Sequence, residues 1–455
     1  MAMASRDQWS GRMGFIFAAA GSAIGLGNIW RFPYTAGESG GGAFVLLYLF
    51  FVAVIGIPVV LSELAIGRTT QRNPVGAFKA LVPGSLWPYV GGLGVLTGFG
   101  ILAFYAVIAG WTLSYLYGAL TGVYGGVLDG EQSLALFTEL ISDPTMPIVL
   151  SGIFIVLTII VVRGGVSKGI ERVTKVLMPL LLVILVILAI RSVTLPGGVD
   201  GLVYLFKPDF SKITISVVMS ALGQALFSLS LGMGAMITYG SYFPDKENLP
   251  SAGITVAFFD TAIAILAGLI IFPALFSVGV EPGAGPGLVF VVLPSIFGSL
   301  PAGQLFAIAF YALLAIAALT STISLLEVVV SYFVDEKGWS RNKSAWVLGG
   351  LCFVLAVPSA LASGASPMFT DFLGTGVDFL TLNNNIWGNY SLSIGAISLC
   401  IFVGYKWGVP NALASLEASG HKLPAPALFG FLVRYVCPAA VGAVLIYVIV
   451  TGNYF

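Results

Sequence analysis

Polar residues and glycine- or proline-rich breaks divide the chain into long apolar stretches. They lie near residues 13–37, 43–67, 88–122, 147–163 and 170–190, then 215–240, 252–276, 303–333, 344–361 and 374–404, with a last one near 428–450. Each approaches the ~20 residues with which a helix crosses a ~30 Å hydrocarbon core. The pattern predicts eleven transmembrane helices and hence an all-α polytopic membrane protein. The first 30 residues have a basic start and an apolar run, as a signal peptide does. That run continues into Arg31 and Pro33 with no small-residue cleavage site, so it reads as a retained first helix.

Composition agrees with this reading. Of 455 residues, 58% are apolar and 9% charged, against roughly 45–50% and 25% in soluble domains. Net charge is zero, so the diffuse positive field that non-specific nucleic-acid binding needs is absent, and no nucleic-acid partner is expected. Cys352, Cys400 and Cys437 sit inside apolar runs without CxxC spacing, and His421, the one histidine, lies in a polar loop. Neither set suits a thiolate or imidazole metal centre. There is no HExxH and no GxxxxGK[ST], which argues against a zinc hydrolase and an ATP-driven pump. A channel would need a continuous polar pore or repeated carbonyl rings, and neither is visible.

Charge also orients the chain. Of its 20 Lys and Arg residues, fifteen fall in the alternate connections that share a side with the N-terminus, which the positive-inside bias makes cytoplasmic. The 123–146 connection holds Asp129, Glu131, Glu139 and Asp143 but no Lys or Arg. Eleven spans then put the C-terminus outside.

Two stretches look unlike plain lipid-crossing helices. The first holds Gly21-Ser22-Ala23-Ile24-Gly25-Leu26-Gly27-Asn28 and the sixth Ser228-Leu229-Ser230-Leu231-Gly232-Met233-Gly234. If they unwind at mid-membrane, the freed backbone groups must line a protein-enclosed cavity; the alternative is close helix packing on glycines. One break opens the first five spans and the other the next five, and because five is odd the halves would be inverted relative to each other. The units so defined are 1–190, 191–405 and a last helix with the C-terminus in 406–455. Glu63, Asp260 and Glu327 are charged groups at depth, each costing roughly 2.5–3.5 kcal/mol in hydrocarbon. Asp260 follows Phe258 and Phe259 in an apolar span and should bind a cation or take up a proton. Thr320-Ser321-Thr322 and Ser324 offer hydroxyls to a hard cation, or to back-bonding within their own helix.

The run AAAGSAIGLGNIWRFPYTAGESGGGAF (18–44) closely resembles the first-helix signature of the neurotransmitter:sodium symporters, the family with the LeuT fold. GQALFSLSLGMGAMITYGSY (223–242) resembles that family's broken sixth helix and ALTSTISLLE (318–327) its eighth. The resemblance implies a 5+5 inverted repeat and two sodium sites beside one amino acid. A first sodium would take the Ala23 carbonyl, Asn28, Ser228, Asp260 and the substrate carboxylate. A second would take the carbonyls of Gly21, Ile24 and Ala317 with the hydroxyls of Thr320 and Ser321. The substrate carboxylate would meet amides around Gly25, Leu26 and Gly27 together with Tyr105, and the side-chain pocket would draw on Ile101, Phe227, Ser228, Ser230, Met233, Ser321 and Leu325. The same matches imply an outer gate of Arg31 and Asp378 and an inner gate of Arg6 and Asp335 near Trp9. Glu63 would steady the unwound sixth span, and Gly169 with Pro179 would form a hinge in the fifth.

The expected substrates are hydrophobic L-amino acids, aliphatic and aromatic, because methionine at 233 is adaptable and no charge stands at the pocket's far end. Chloride-dependent relatives are expected to hold a neutral Asn where Asp260 stands, which implies chloride independence here. The resemblance also implies a bacterial plasma-membrane location and no organic cofactor. Family members often have twelve spans where eleven are expected here, and oligomeric state stays open. A non-transporting amino-acid sensor is the alternative, distinguishable by flux alone.

Overall fold

The computed structural model describes residues 7–124, 128–244, 246–280, 282 and 285–452. Among them there is no strand, only an isolated bridge between Gly41 and Pro208. The first apolar stretch forms α1 (Arg12–Ala23) and α2 (Gly27–Glu38), bent by 52° relative to each other. Next come α3 (Gly42–Thr70), the short α4 (Pro74–Leu81) and the long α5 (Pro88–Leu120). α6 (Gly130–Ser142) turns by 73° into α7 (Met146–Val162), and α8 (Val166–Val193) follows.

The second series begins with α9 (Gly198–Phe206), α10 (Ile215–Ser228) and α11 (Ala235–Gly240). It continues with α12 (Leu249–Ser277), α13 (Val292–Ser299), α14 (Gly303–Lys337), α15 (Arg341–Ala360) and α16 (Phe379–Lys406). α17 (Val409–Leu416) leads into α18 (Pro426–Thr451).

Eight of these helices are long and apolar enough to cross a membrane, or ten if each bent pair is one span. A count of eleven requires α10 and α11, of 14 and 6 residues, to be taken together. Their separate burial shows which helices form the centre. The apolar windows of α5 and α14 are 78% and 83% buried, while those of α8 and α18 are 33% and 28% buried and leave an apolar face to lipid.

The connections hold helices that span counting does not detect. α6, inside the acidic connection, starts with a capping box: the Asp129 carboxylate accepts the Gln132 N–H at 2.7 Å and the Gln132 side chain accepts the Asp129 N–H at 3.2 Å. α9, α13 and α17 are 9, 8 and 8 residues long, too short to cross. Cys352, Cys400 and Cys437 are free and buried.

Candidate functional site

The two glycine-rich segments meet at the centre of the helix bundle. Helical bonding in the first ends where the Ile24 N–H reaches the Ala20 carbonyl at 2.7 Å, Ile24 itself is extended (φ −73°, ψ 108°), and α2 starts at Gly27. Between α10 and α11, Ser230, Gly232 and Gly234 have φ of 54°, 81° and 75°. Ser230 pays the steric cost of a left-handed conformation that the two glycines avoid. At Gly232 a side chain is also excluded, because a Cβ would lie 2.3 Å from the Leu392 carbonyl oxygen.

Each break leaves backbone groups that must find partners. In the first, the Leu26 N–H donates to Tyr105 Oη at 2.9 Å and the Gly25 N–H to Asn28 Oδ1 at 3.2 Å. Gly25 is required here: a Cβ would stand 2.3 Å from Ser321 Oγ and 2.7 Å from Tyr105 Oη. The freed Ile24 carbonyl takes the Ser321 hydroxyl at 3.3 Å and the Thr320 hydroxyl at 3.5 Å, and the Ser22 carbonyl takes Ser230 Oγ at 3.2 Å and Ser321 Oγ at 3.4 Å. In the second break, the Gly232 N–H donates to Glu63 Oε1 at 2.7 Å, with Glu63 buried.

Two oxygen clusters flank this centre. In one, Asn28 Nδ2 donates to Asp260 Oδ1 at 2.7 Å, to the Asp260 carbonyl at 3.0 Å and to Ser228 Oγ at 3.0 Å. Ser228 Oγ donates to Asp260 Oδ2 at 2.7 Å, and Tyr48 Oη donates to the same oxygen at 3.3 Å. Asn28 and Asp260 are fully buried. In the other cluster Thr320 Oγ1 lies 3.0 Å from the Ala317 carbonyl and joins Ser321 at Ile24, so neighbouring oxygens are 3.0–3.5 Å apart. Ligands at right angles about a cation with bonds of about 2.4 Å would be about 3.4 Å apart. The Gly21 backbone packs beside this cluster, since a Cβ on it would lie 3.2 Å from Thr320 Cβ. One carboxylate in the first cluster and none in the second suit a singly charged ion better than a divalent one, which takes more anionic ligands. Among the described residues no group of three His, Cys, Asp or Glu could hold a metal.

Between the clusters lies a small cavity of about 30 Å³ whose walls include Ala23, Gly25, Gly27, Ile101, Tyr105, Phe227, Ser230, Met233, Ser321 and Leu325. Of the side-chain pocket residues expected from sequence, Ser228 alone is absent from its walls and sits in the Asp260 cluster instead. Leu26 lines the vestibule instead, its amide N–H bonded to Tyr105 Oη. Ser22 and Ser324 also line the cavity and were not anticipated; Ser22 Oγ is buried with no hydrogen-bond partner.

Above the cavity opens a vestibule of about 550 Å³, reaching from Asp378, Glu38 and Tyr34 down to Leu26, Gly27, Tyr105 and Phe227. Arg31 and Asp378 both line it but form no ion pair with each other. The Arg31 guanidinium lies over the Phe227 ring, 4.4 Å from its centroid. The Asp378 carboxylate caps the start of α16, accepting the Thr381 N–H at 2.9 Å and its hydroxyl at 2.7 Å.

The opposite end is closed. Trp9 is buried, its indole N–H donating to the Tyr239 carbonyl at 3.0 Å while its ring meets Phe15, Tyr239 and Tyr242 edge-on. Glu327 accepts the Tyr242 hydroxyl at 2.7 Å and pairs with Arg341, whose Nε donates to the Val162 carbonyl at 2.9 Å. Asp335 accepts the Asn73 N–H at 3.0 Å; its expected partner Arg6 lies outside the described residues. Glu171, which sequence reading passed over, accepts the Ser10 N–H at 2.9 Å and pairs with Lys175 at 2.6 Å, so the N-terminal segment is tied to α8. α8 is helical through Gly169, its first turns π-helical, with Pro179 in its interior. A Cβ on Gly169 would lie 2.2 Å from the Val161 carbonyl oxygen, so only glycine lets α8 start this close to α7.

With this geometry in place, comparison with known proteins is informative. The family model described as Sodium:neurotransmitter symporter family matches residues 6–125 and 134–454. An uncharacterized sodium-dependent transporter of Bacillus subtilis (strain 168), YhdH, is 38% identical over 435 residues, 95% of this chain and 96% of that one. The sodium- and chloride-dependent glycine transporter 2 of Xenopus laevis is 28% identical, over 91% of this chain and 60% of its own. Among solved structures, that of MhsT in complex with L-phenylalanine has a TM-score of 0.88 at 46% identity, covering 97% of this chain and 99% of that one.

Proposed function

The chain belongs to the sodium:neurotransmitter symporter family, and on that premise we propose that it imports hydrophobic L-amino acids together with two sodium ions by alternating access, without chloride. It is a sodium-dependent secondary transporter of the membrane, not an enzyme. The observation that carries the finer reading is the convergence of both helix breaks on one cavity flanked by two oxygen clusters. Residues 1–190 and 191–405 would act as the two inverted units, with the N-terminus cytoplasmic in a bacterial plasma membrane.

Gly25, Gly27 and Tyr105 line the cavity, and a substrate carboxylate would be held there by Tyr105 Oη and by amide N–H groups of the first break that now bond Tyr105 and Asn28. That carboxylate would complete the coordination of the sodium at Asn28 and Asp260, so that ion and amino acid stabilise each other. The second sodium would bridge the first break to α14 through Ile24, Thr320 and Ser321. Apolar walls of Ile101, Phe227, Met233 and Leu325 favour an uncharged side chain, because a second charge would be buried unpaired. That MhsT has been solved with L-phenylalanine supports this substrate class. Chloride independence is supported by Asp260, whose Oδ2 accepts the Ser228 and Tyr48 hydroxyls that a bound anion would otherwise need. Two sodium ions entering through 100 mV release about 4.6 kcal/mol, at ~2.3 kcal/mol per charge, enough for about thousandfold accumulation.

Uptake of radiolabelled leucine and tryptophan into proteoliposomes under an inward sodium gradient tests the proposal, with potassium-only and chloride-free controls and an Asp260→Asn variant. Accumulation that needs sodium, survives chloride removal and fails in the variant is the expected result. Binding without accumulation would turn the reading to a sensor, and chloride dependence of the wild type would remove the role assigned to the Asp260 charge.

A further inference from the structure

Away from the transport pathway, α17 lies against the start of α18 and leaves an apolar groove of about 510 Å³ between them. Gly430 sets how closely the two approach, since a Cβ there would stand 3.0 Å from Val409 Cγ1. The walls are Val409, Pro410, Leu413, Phe431 and Tyr435, and Arg434 is the one charged residue in the lining.

Arg434 is held in place from one side only. Its Nε donates to the Gly404 carbonyl at 3.0 Å, and its own carbonyl accepts the Tyr405 hydroxyl at 2.9 Å. The two terminal guanidinium nitrogens have no hydrogen-bond or ion-pair partner among the described residues. Two planar donors are thus left at the groove, in the geometry that matches a phosphate.

Depth identifies what would meet them. About 20 helical residues cross the hydrocarbon, and counting them back from Thr451, the end of α18, puts the opposite boundary near Leu432. Arg434 therefore stands at the level of the lipid headgroups. Tyr405 and Tyr435, 58% and 54% exposed, flank it, as aromatic residues do at a membrane interface. Lys406 ends α16 and Lys422 lies in the connection before α18, while the same connection holds Glu417, whose carboxylate accepts the Leu423 N–H at 3.0 Å. A cation at headgroup depth beside an apolar trough is complementary to one molecule class in both charge and shape.

We propose that this groove binds one anionic glycerophospholipid of the leaflet on that side, its phosphate on the free nitrogens of Arg434 and an acyl chain along α17 and α18. Because Arg434 also bonds the end of α16, a bound lipid fastens the tenth and last spans together at this face. Inorganic phosphate has no use for the apolar walls and should not compete.

Native mass spectrometry of the detergent-solubilised full chain, with dioleoylphosphatidylglycerol or dioleoylphosphatidylcholine added, tests the site. The wild type should retain one phosphatidylglycerol at least fivefold more readily than phosphatidylcholine, fivefold being the equivalent of the ~1 kcal/mol that one basic residue gains near an anionic surface. Arg434→Gln should bring the preference to within twofold. Ala427→Trp, which fills the groove from an exposed position, should lower retention of both lipids, and Lys422→Gln should lower the preference less than Arg434→Gln does. Undiminished preference in Arg434→Gln overturns the proposal. So does retention unaffected by Ala427→Trp, which would mean diffuse surface attraction, or displacement of the lipid by millimolar inorganic phosphate. Should Arg434→Gln fail to purify as a monodisperse protein, the Ala427→Trp and phosphate arms decide alone.

Discussion

Toward one face, a vestibule of about 550 Å³ runs past Tyr34 and Asp378 to Leu26, Gly27 and Phe227, whereas toward the other Trp9, Tyr242, Glu327 and Arg341 fill the path with buried rings and a buried ion pair. At the open end Gly27, Tyr105 and Phe227 line both vestibule and cavity, with Arg31 resting on the Phe227 ring. At the closed end several elements must separate before anything passes: the N-terminal segment, α8, the stretch after α11, and α14 with α15. The outer barrier can thus move by side-chain rotation, while the inner one needs displacement of backbone. In the orientation proposed above, this asymmetry suits a carrier at rest with its site facing the sodium-rich side.

The largest effect should follow removal of the inner ring. Trp9→Ala deletes a buried indole that bonds the Tyr239 carbonyl and packs on three aromatic rings, a loss of about 3–5 kcal/mol. If that energy holds the inner end shut, a cysteine placed at the buried Thr174 of α8 should be alkylated more than tenfold faster, against a background of three buried native cysteines. An unchanged rate would mean that Trp9 stabilises the fold without sealing it.

A somewhat smaller shift, about 3 kcal/mol, is expected from Glu327→Gln. The substitution keeps the shape but leaves the Arg341 charge, 21% exposed, without its partner. The same cysteine probe reports it. Adding Arg341→Gln should restore much of the protection, because the cost lies in the unpaired charge; no rescue by the second change would count against the ion pair as a seal.

At the open end the effects should be smaller. Arg31→Ala removes a cation resting on Phe227, which contributes about 0.5–2 kcal/mol, so outward release of bound amino acid should quicken about fivefold in a washout experiment. If Arg31 meets Asp378 on closure, Asp378→Asn should slow uptake similarly, with the double variant no worse than either single one. Additive losses would show that the two act separately, as their unpaired positions in this structure would allow.

How much of this was legible beforehand depends on the kind of signal. The spans are written in long apolar stretches, and the breaks in glycines clustered with small hydroxyl residues, although glycines alone do not break α5. The Asn28, Ser228 and Asp260 cluster joins residues 200 and 232 positions apart, so spacing alone could not assemble it and the motif resemblance was needed. α6, α9, α13 and α17 escaped because short amphipathic helices carry no long apolar run, although the Asp129-x-x-Gln132 capping box was readable. Glu171 escaped for another reason: it looks like one of several charges at a helix start, and only the fold brings Ser10 onto it. Ser22 had the least signal, a small residue among small residues whose role depends on what its hydroxyl fails to meet.

That orphaned hydroxyl gives the smallest prediction and the one closest to substrate choice. Ser22 Oγ is buried at the cavity wall without a partner, while Ser230, Ser321 and Ser324 there spend their hydroxyls on backbone carbonyls. A substrate with a polar atom on its side chain, such as the phenol of tyrosine or the indole of tryptophan, can satisfy it, and phenylalanine cannot. A hydrogen bond of this kind contributes about 1 kcal/mol net, roughly fivefold in affinity. Ser22→Ala should therefore weaken tyrosine or tryptophan about fivefold in competition binding and leave phenylalanine unchanged or slightly tighter, since the variant removes an unsatisfied group at no packing cost. Equal weakening of all three would assign Ser22 to the shape of the first break rather than to the substrate, and would move the choice among aromatic side chains to Met233 and the apolar walls.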